Sequence, residues 1–226
     1  MDINEILAKV ALFYVPFLFA LCFHEFAHGW VARRLGDPTA EMMGRLTLNP
    51  VSHMDILGTV VFPLMAIIGS SPLFFGWAKP VPVMERNLKN PKKDMFWIAL
   101  AGPASNIFLA VVGAFLLGAR NYLPLTFEHS QLLLEGLRLF IIINLFLAVF
   151  NLIPVHPLDG GKILARFLPY ETNRWLEENS GMISMGLFAL ILIDGMGGGT
   201  MRIISAPVYF LYNILEGTVG QIFLYT

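Results

Sequence analysis

The stretch Leu21-Cys22-Phe23-His24-Glu25-Phe26-Ala27-His28-Gly29-Trp30 sets two histidines and a glutamate inside a segment otherwise built to lie in lipid. From Val10 to Phe23 no residue is charged. Ionisable groups at bilayer depth are costly, so they face a bundle interior or a polar cavity and mark functional sites. At 3.6 residues per turn, His24 and His28 leave a helix from one face and can grip one Zn²⁺, with Glu25 beside them as general base. Cys22 points away from that face and reads as packing.

The whole composition agrees with lipid burial. Of 226 residues, 56% are hydrophobic and 14% charged, and the mean hydropathy is +0.67. These values exclude an ordinary soluble domain and predict a polytopic membrane protein. The net charge of −1, without a run of like charge, argues against a nucleic-acid partner. Cys22 is the only cysteine, which excludes an intramolecular disulfide. The first apolar segment lacks a basic leader and carries the histidines, so no cleavable signal peptide is expected.

Outward from the histidines, segment one covers residues 10–35, with Pro16 in its first half, and stops at Arg33-Arg34 and Gly36-Asp37-Pro38. A polar stretch, residues 39–55, follows. Segment two, residues 56–78, is uncharged but broken by Pro63, Gly69, Pro72 and Gly76. It leads into Trp77-Ala78-Lys79-Pro80-Val81-Pro82-Val83, which reads as irregular or edge-strand backbone. Segment three, residues 95–119, contains Gly102-Pro103-Ala104-Ser105-Asn106, where small residues allow close helix approach and Asn106 reads as a packing polar group. Segment four, residues 139–158, runs into Asn151-Leu152-Ile153-Pro154-Val155-His156-Pro157-Leu158-Asp159-Gly160-Gly161. A short segment five, residues 179–193, and a last one, residues 203–225, complete the chain. The expected architecture is an all-α polytopic membrane protein of five or six transmembrane helices, with one re-entrant segment and a short β-hairpin-like element. Residues 1–226 read as a single membrane-embedded domain, with a core at 10–166 and C-terminal helices at 179–225.

Lys79, Arg86, Lys89, Lys92 and Lys93 outweigh Glu85 and Asp94, so the loop between segments two and three is expected in the cytoplasm. Arg33 and Arg34 put the end of segment one on the same side. Both assignments hold if segment two is re-entrant, which suits its prolines and glycines, since broken backbone at membrane depth must line a cavity or be buried. A cell membrane of a prokaryote, with the site toward the cytoplasm, is the expected location.

Catalytic zinc takes three protein ligands and keeps one position open. Beyond His24 and His28 the candidates are His53, His129, His156, Asp37, Asp55 and Asp159. Asp159 stands out: it closes an apolar segment, precedes two glycines, and follows Pro154 and Pro157, which prevent a regular helix. His53 reads as a loop or supporting residue and His129 as solvated.

His24-Glu25-x-x-His28, Gly102-Pro103-x-x-Asn106 and Asn151-x-x-Pro154-x-x-x-x-Asp159-Gly160 together resemble the three signatures of the site-2 protease family of intramembrane zinc metalloproteases. The likeness extends through residues 76–82 and covers most of residues 20–166. It implies a short form without an inserted PDZ domain or a C-terminal regulatory domain. It also implies that Asp159 is the third Zn²⁺ ligand, that Asn151 contacts substrate or the developing oxyanion, and that residues 76–83 match a re-entrant β-hairpin beside the substrate path. The partners it implies are a transmembrane protein or peptide substrate and the lipid bilayer. His156 stands where relatives often have proline. Asn151 also has a plain reading, as a group satisfying backbone freed by Pro154. Two other functions use the same residues: a transporter or metal-permeation protein with a His/His/Asp cluster, and an inactive helix-binding relative.

Overall fold

The computed structural model describes residues 2–69, 76–119, 127–193 and 201–224. The described residues form helices and loops, with no strand among them. Helix α1 runs over Ile3–Arg34. It begins seven residues ahead of segment one because nothing in Ile3–Lys9 breaks a helix and Asp2 stands at its N-cap. A wide π turn, Val10–Tyr14, ends two residues before Pro16. Proline donates no N–H and crowds the carbonyl four residues back, so the backbone must open there. The same device recurs in α3, Ile56–Ile68, where the π turn Ile56–Val61 precedes Pro63. Between them lies the single turn α2, Thr39–Met42.

Helix α3 is capped by Asp55, whose Oδ1 accepts from the N–H groups of Leu57 (3.0 Å) and Gly58 (2.8 Å). It ends at Gly69, short of the expected 78. Its two joined turns of 6 and 7 residues reach about 20 Å at 1.5 Å per residue, less than a bilayer core. Of the expected β-hairpin, residues 76–83 are irregular backbone, and residues 70–75 lie outside the described residues.

Helix α4, Pro91–Gly118, starts on proline, whose missing N–H costs nothing at that position, and keeps Pro103 in its interior. Helix α5, Phe127–Asn151, begins twelve residues before segment four, because no Gly-Pro stop separates its polar first turns from its apolar part. The short helices α6, Asp159–Ala165, and α7, Tyr170–Glu178, follow; then α8, Ser180–Ile193, and α9, Met201–Leu224. Among the described residues, three helices are long and apolar enough to cross a membrane: Ile3–Arg34, Pro91–Gly118 and Leu133–Asn151. The chain is an integral membrane protein.

Helix α4 is central, packing on α1, α5, α6 and α9. Lipid is as apolar as leucine, so helices in it associate through close packing and polar bonds rather than hydrophobic exclusion. Buried small residues supply the approach: Ala20 on α1, Ala99, Gly102, Ala110 and Ala114 on α4, and Ala148 on α5. Toward one end, Leu117, Ile141, Leu145, Val208 and Val219 close a cluster among α4, α5 and α9. Toward the other, Phe17, Leu21 and Leu147 pack with Ala78 of the irregular segment. Ala32, Leu88 and Ile98 form a third cluster. The histidines of α1 therefore sit in sequence between Leu21 and Ala32, inside packed protein.

Outside the helices, Asp37 ties the turn after α1 to the stretch before α4. Its fully buried carboxylate accepts from Thr39 N (3.1 Å), Thr39 Oγ1, Met84 N (2.7 Å) and Asn87 Nδ2 (2.7 Å). Burial alone opposes its ionisation, but those bonds prevail and hold its carboxyl below the ordinary aspartate value.

Candidate metal centre and catalytic cavity

His24 and His28 stand one turn apart on α1, their ring centroids 4.6 Å apart and nearly perpendicular. Each ring is held by its far nitrogen. His28 Nδ1–H donates to the Ile98 carbonyl at 2.6 Å. His24 Nδ1–H donates to Asn106 Oδ1 at 2.6 Å. The Asn106 amide is itself oriented, because its Nδ2 donates to the Ala20 carbonyl (3.2 Å) and to Asn144 Oδ1 (2.9 Å). Asn144 Nδ2 in turn donates to the Phe140 carbonyl. Both imidazoles are thereby fixed with the proton on Nδ1 and a lone pair on Nε2.

Asp159 enters from the first turn of α6. Its approach depends on Gly160, where a Cβ would collide with the carbonyls of Leu152 and Ile153. The bend after Asn151 folds back over the start of α6 only because that space is open. Asp159 Oδ2 lies 3.1 Å from His24 Nε2 and 3.2 Å from His28 Nε2, and the two Nε2 atoms are 3.0 Å apart. Two lone pairs and a carboxylate oxygen facing one another repel unless a cation joins them. A tetrahedral zinc with bonds of about 2.0–2.1 Å separates its ligand atoms by about 3.3 Å. The three buried groups can therefore hold a metal ion. Gly102 of α4 leaves the room: a Cβ there would lie 2.6 Å from His24 Nε2 and closer still to His28 Nε2.

The cluster opens into a cavity of about 750 Å³ that also takes in Glu25, Asn151 and the irregular segment from Gly76 to Val83. Glu25, one residue from His24, is 9% exposed, and its Oε2 accepts from the Val81 N–H at 2.7 Å. Asn151 lines the cavity, while its Nδ2 turns back to the Leu147 carbonyl on its own helix, at 2.9 Å.

The irregular wall is fastened by its backbone. Trp77 N–H donates to the Gly58 carbonyl (3.1 Å) and Lys79 N–H to the His53 carbonyl (2.9 Å). Thr59 Oγ1 donates to the Trp77 carbonyl (2.8 Å) and Arg45 Nη2 to the Lys79 carbonyl (2.8 Å). His53 is buried below this wall, its Nε2–H on the Thr47 carbonyl at 2.8 Å. It is not part of the metal-binding group, and neither are Asp37, Asp55 and His156. The side chain of His129 lies outside the described residues.

Sequence reasoning treats Asn106 as packing and passes over Asn144, the Ile98 carbonyl and Gly102 as metal-site parts. One signal was available. Gly102 and Asn106 are one turn apart on one helical face, so a space for imidazoles and a polar group to orient one of them arrive together.

The model of peptidase family M50 matches residues 12–127 and 126–193. YwhC of Bacillus subtilis, provisionally named a zinc metalloprotease, is 38% identical over 157 residues, 69% of this chain and 68% of that protein. Rip2 of Mycolicibacterium smegmatis carries the same provisional name and is 33% identical over 159 residues, 70% of this chain and 58% of that protein. Rip2 of Mycobacterium tuberculosis is 29% identical over 198 residues, 87% of this chain and 71% of that protein. No solved structure matches the chain. With the family model matched from residue 12 to residue 193 and its signature histidines and aspartate meeting at one point, the chain belongs to peptidase family M50, the family of the site-2 proteases its motifs resemble.

Proposed function

We propose that the protein is an intramembrane metalloprotease that hydrolyses peptide bonds within or beside transmembrane segments of other proteins. The observation that carries this reading is the convergence of His24 Nε2, His28 Nε2 and Asp159 Oδ2, all within 4.8 Å of one another, in a cavity that also holds Glu25. His24, His28 and Asp159 would hold Zn²⁺. When bound, that ion supplies a Lewis acid that polarises a carbonyl and acidifies water.

The chain's own groups do the rest. Glu25 accepts the proton of the attacking water and passes it to the leaving amine. Its bond from the Val81 N–H keeps the carboxylate aimed along the irregular segment. Asn106 and the Ile98 carbonyl hold the imidazoles in one tautomer. Asn151, once released from the Leu147 carbonyl, supplies an N–H donor to the tetrahedral oxyanion or to the substrate backbone. A transmembrane helix hides its carbonyls in its own hydrogen bonds, so the substrate must unwind to react. Ala78 and Val83 keep backbone N–H groups with no partner among the described residues, and an unwound substrate strand pairs there.

Topology follows from the same elements. The short α3, about 20 Å long, enters the membrane and returns, which leaves Arg33, Arg34 and the basic loop before α4 together on the cytoplasmic side. Trp30, stacked under the Arg34 guanidinium at 4.8 Å, anchors that end of α1 at the interface. With α8 and α9 completing the count, five or six helices cross and the site opens toward the cytoplasm.

The test is reconstitution of the purified protein in vesicles with a single-span substrate, before and after removal of metal by a chelator. Cleavage that disappears with the metal and returns with Zn²⁺ is expected. Cleavage indifferent to the chelator, with the metal verifiably gone, would defeat the proposal.

A further inference from the structure

A second cavity, of about 310 Å³, adjoins the first: Met95 and Lys162 line both. Its character is different. The catalytic cavity is mainly apolar, whereas this one gathers Lys92, Lys162, Arg166, His156 and Asn173.

Its polar atoms are left in need of an occupant. His156 is only 7% exposed, and its buried Nε2 has no hydrogen-bond partner. Asn173 Oδ1 is likewise buried and unbonded. The Asn173 amide is oriented by its Nδ2, which donates to Glu177 Oε1 at 2.7 Å, so Oδ1 requires an incoming donor.

Of the three cations, Arg166 and Lys92 make no ion pair among the described residues, and Lys162 makes only a long one. Arg166 is held over the Phe96 ring at 4.9 Å and makes no ion pair among the described residues. Lys92 Nζ donates to the Leu168 carbonyl, a neutral partner. Lys162 Nζ stands 3.9 Å from Asp159 Oδ1, at the junction of the two cavities. Of the two carboxylates in the lining, Glu177 is engaged by Asn173 and Glu85 is exposed at the rim.

We infer that this second cavity is a substrate subsite that receives a polar segment next to the cleaved bond and prefers an acidic side chain there, set against Arg166 and Lys162. A peptide with an acidic side chain brings both an N–H donor for Asn173 Oδ1 and a carboxylate for the cations. A free phosphate also brings charge for the cations, but it has no chain to link it to the catalytic cavity. The shared lining of Met95 and Lys162 puts this cavity beside the catalytic one, within reach of a chain lying there. The inference rests on the proteolytic reading and makes it selective.

The test places Asp, Asn or Lys in turn at each position within about eight residues of the cleaved bond. Cleavage is measured with the wild-type protein, and binding of the same peptides is measured with Glu25→Gln. At one or two positions Asp should exceed Asn by about tenfold in kcat/KM and in affinity, with Lys below both. Arg166→Gln should flatten that preference and Arg166→Glu should invert it, while both variants still cleave the Asn peptide. Equal handling of Asp, Asn and Lys at every position would overturn the subsite. So would an Arg166→Glu variant that lowers all three alike, or inorganic phosphate that competes equally with all three. A binding preference seen with Glu25→Gln but no cleavage by the wild type would instead retain the subsite and defeat proteolysis.

Discussion

The catalytic cavity has two walls of different make. One is helical: α1, α4, α5 and α6 bring His24, His28 and Asp159 to within 3.0–3.2 Å of each other, and polar bonds reach two helices deep through Asn106 to Asn144. The other is irregular: residues 76–83 are held by backbone bonds to Gly58, His53, Thr59 and Arg45 and by the packing of Ala78 on Phe17, Leu21 and Leu147. The first wall leaves its ligands no choice of tautomer or position. The second presents backbone, anchored by the Thr59 and Arg45 side chains. On the proposed reading chemistry belongs to the first wall and substrate capture to the second, with the Val81 N–H to Glu25 bond as the link between them.

That division can be broken from either side. The largest expected effect is on the helical wall. His28→Ala removes a metal ligand and should abolish both metal retention and cleavage, read by metal analysis and a substrate assay on the same sample. Gly102→Ala pushes a methyl against both Nε2 atoms. It should lose most of its metal without unfolding, because the methyl disturbs only the imidazoles. Asn106→Leu is next. It frees His24 from its tautomer and should weaken metal affinity by about 10- to 100-fold, the usual effect of losing a ligand's hydrogen-bond partner.

On the irregular wall, Arg45→Ala and Thr59→Val should raise KM several-fold with metal content unchanged and kcat nearly so. If either lowered metal affinity as much as Asn106→Leu, the separation of the walls would be wrong. The smallest effect concerns stability. Asp37→Ala strands the Met84 N–H and removes the bonds from Thr39 and Asn87, and should cost about 1–3 kcal/mol, read by thermal unfolding in detergent. Because the native Asp37 carboxyl titrates below its unfolded value, its contribution is complete above the ordinary aspartate range and fades as pH falls through the lowered native value. The wild type should lose its advantage over Asp37→Ala only in strong acid.

The two walls also differ in how far the sequence reveals them. His24, Glu25 and His28 are legible because one helical period and an uncharged background make them conspicuous. Asp159 is legible from the prolines and glycines around it. Asn106 and Asn144 are not, since a lone asparagine in an apolar helix has the same appearance whether it packs or orients a ligand. The irregular wall is the least legible. Its bonds join Arg45 to Lys79 and Glu25 to Val81, 34 and 56 residues apart, and no local period announces such pairs. The early start of α5 is hidden for a simpler reason: polar first turns imitate a loop when hydropathy alone is followed.

The central claim is that Glu25 moves the proton while His24, His28 and Asp159 hold the metal. It is tested most directly by comparing wild type and Glu25→Gln, purified side by side, for zinc content and for cleavage of one single-span substrate. Equal zinc in the two, with cleavage reduced by about 10²- to 10⁴-fold in Glu25→Gln, is the expected result. Equal cleavage by both would contradict it.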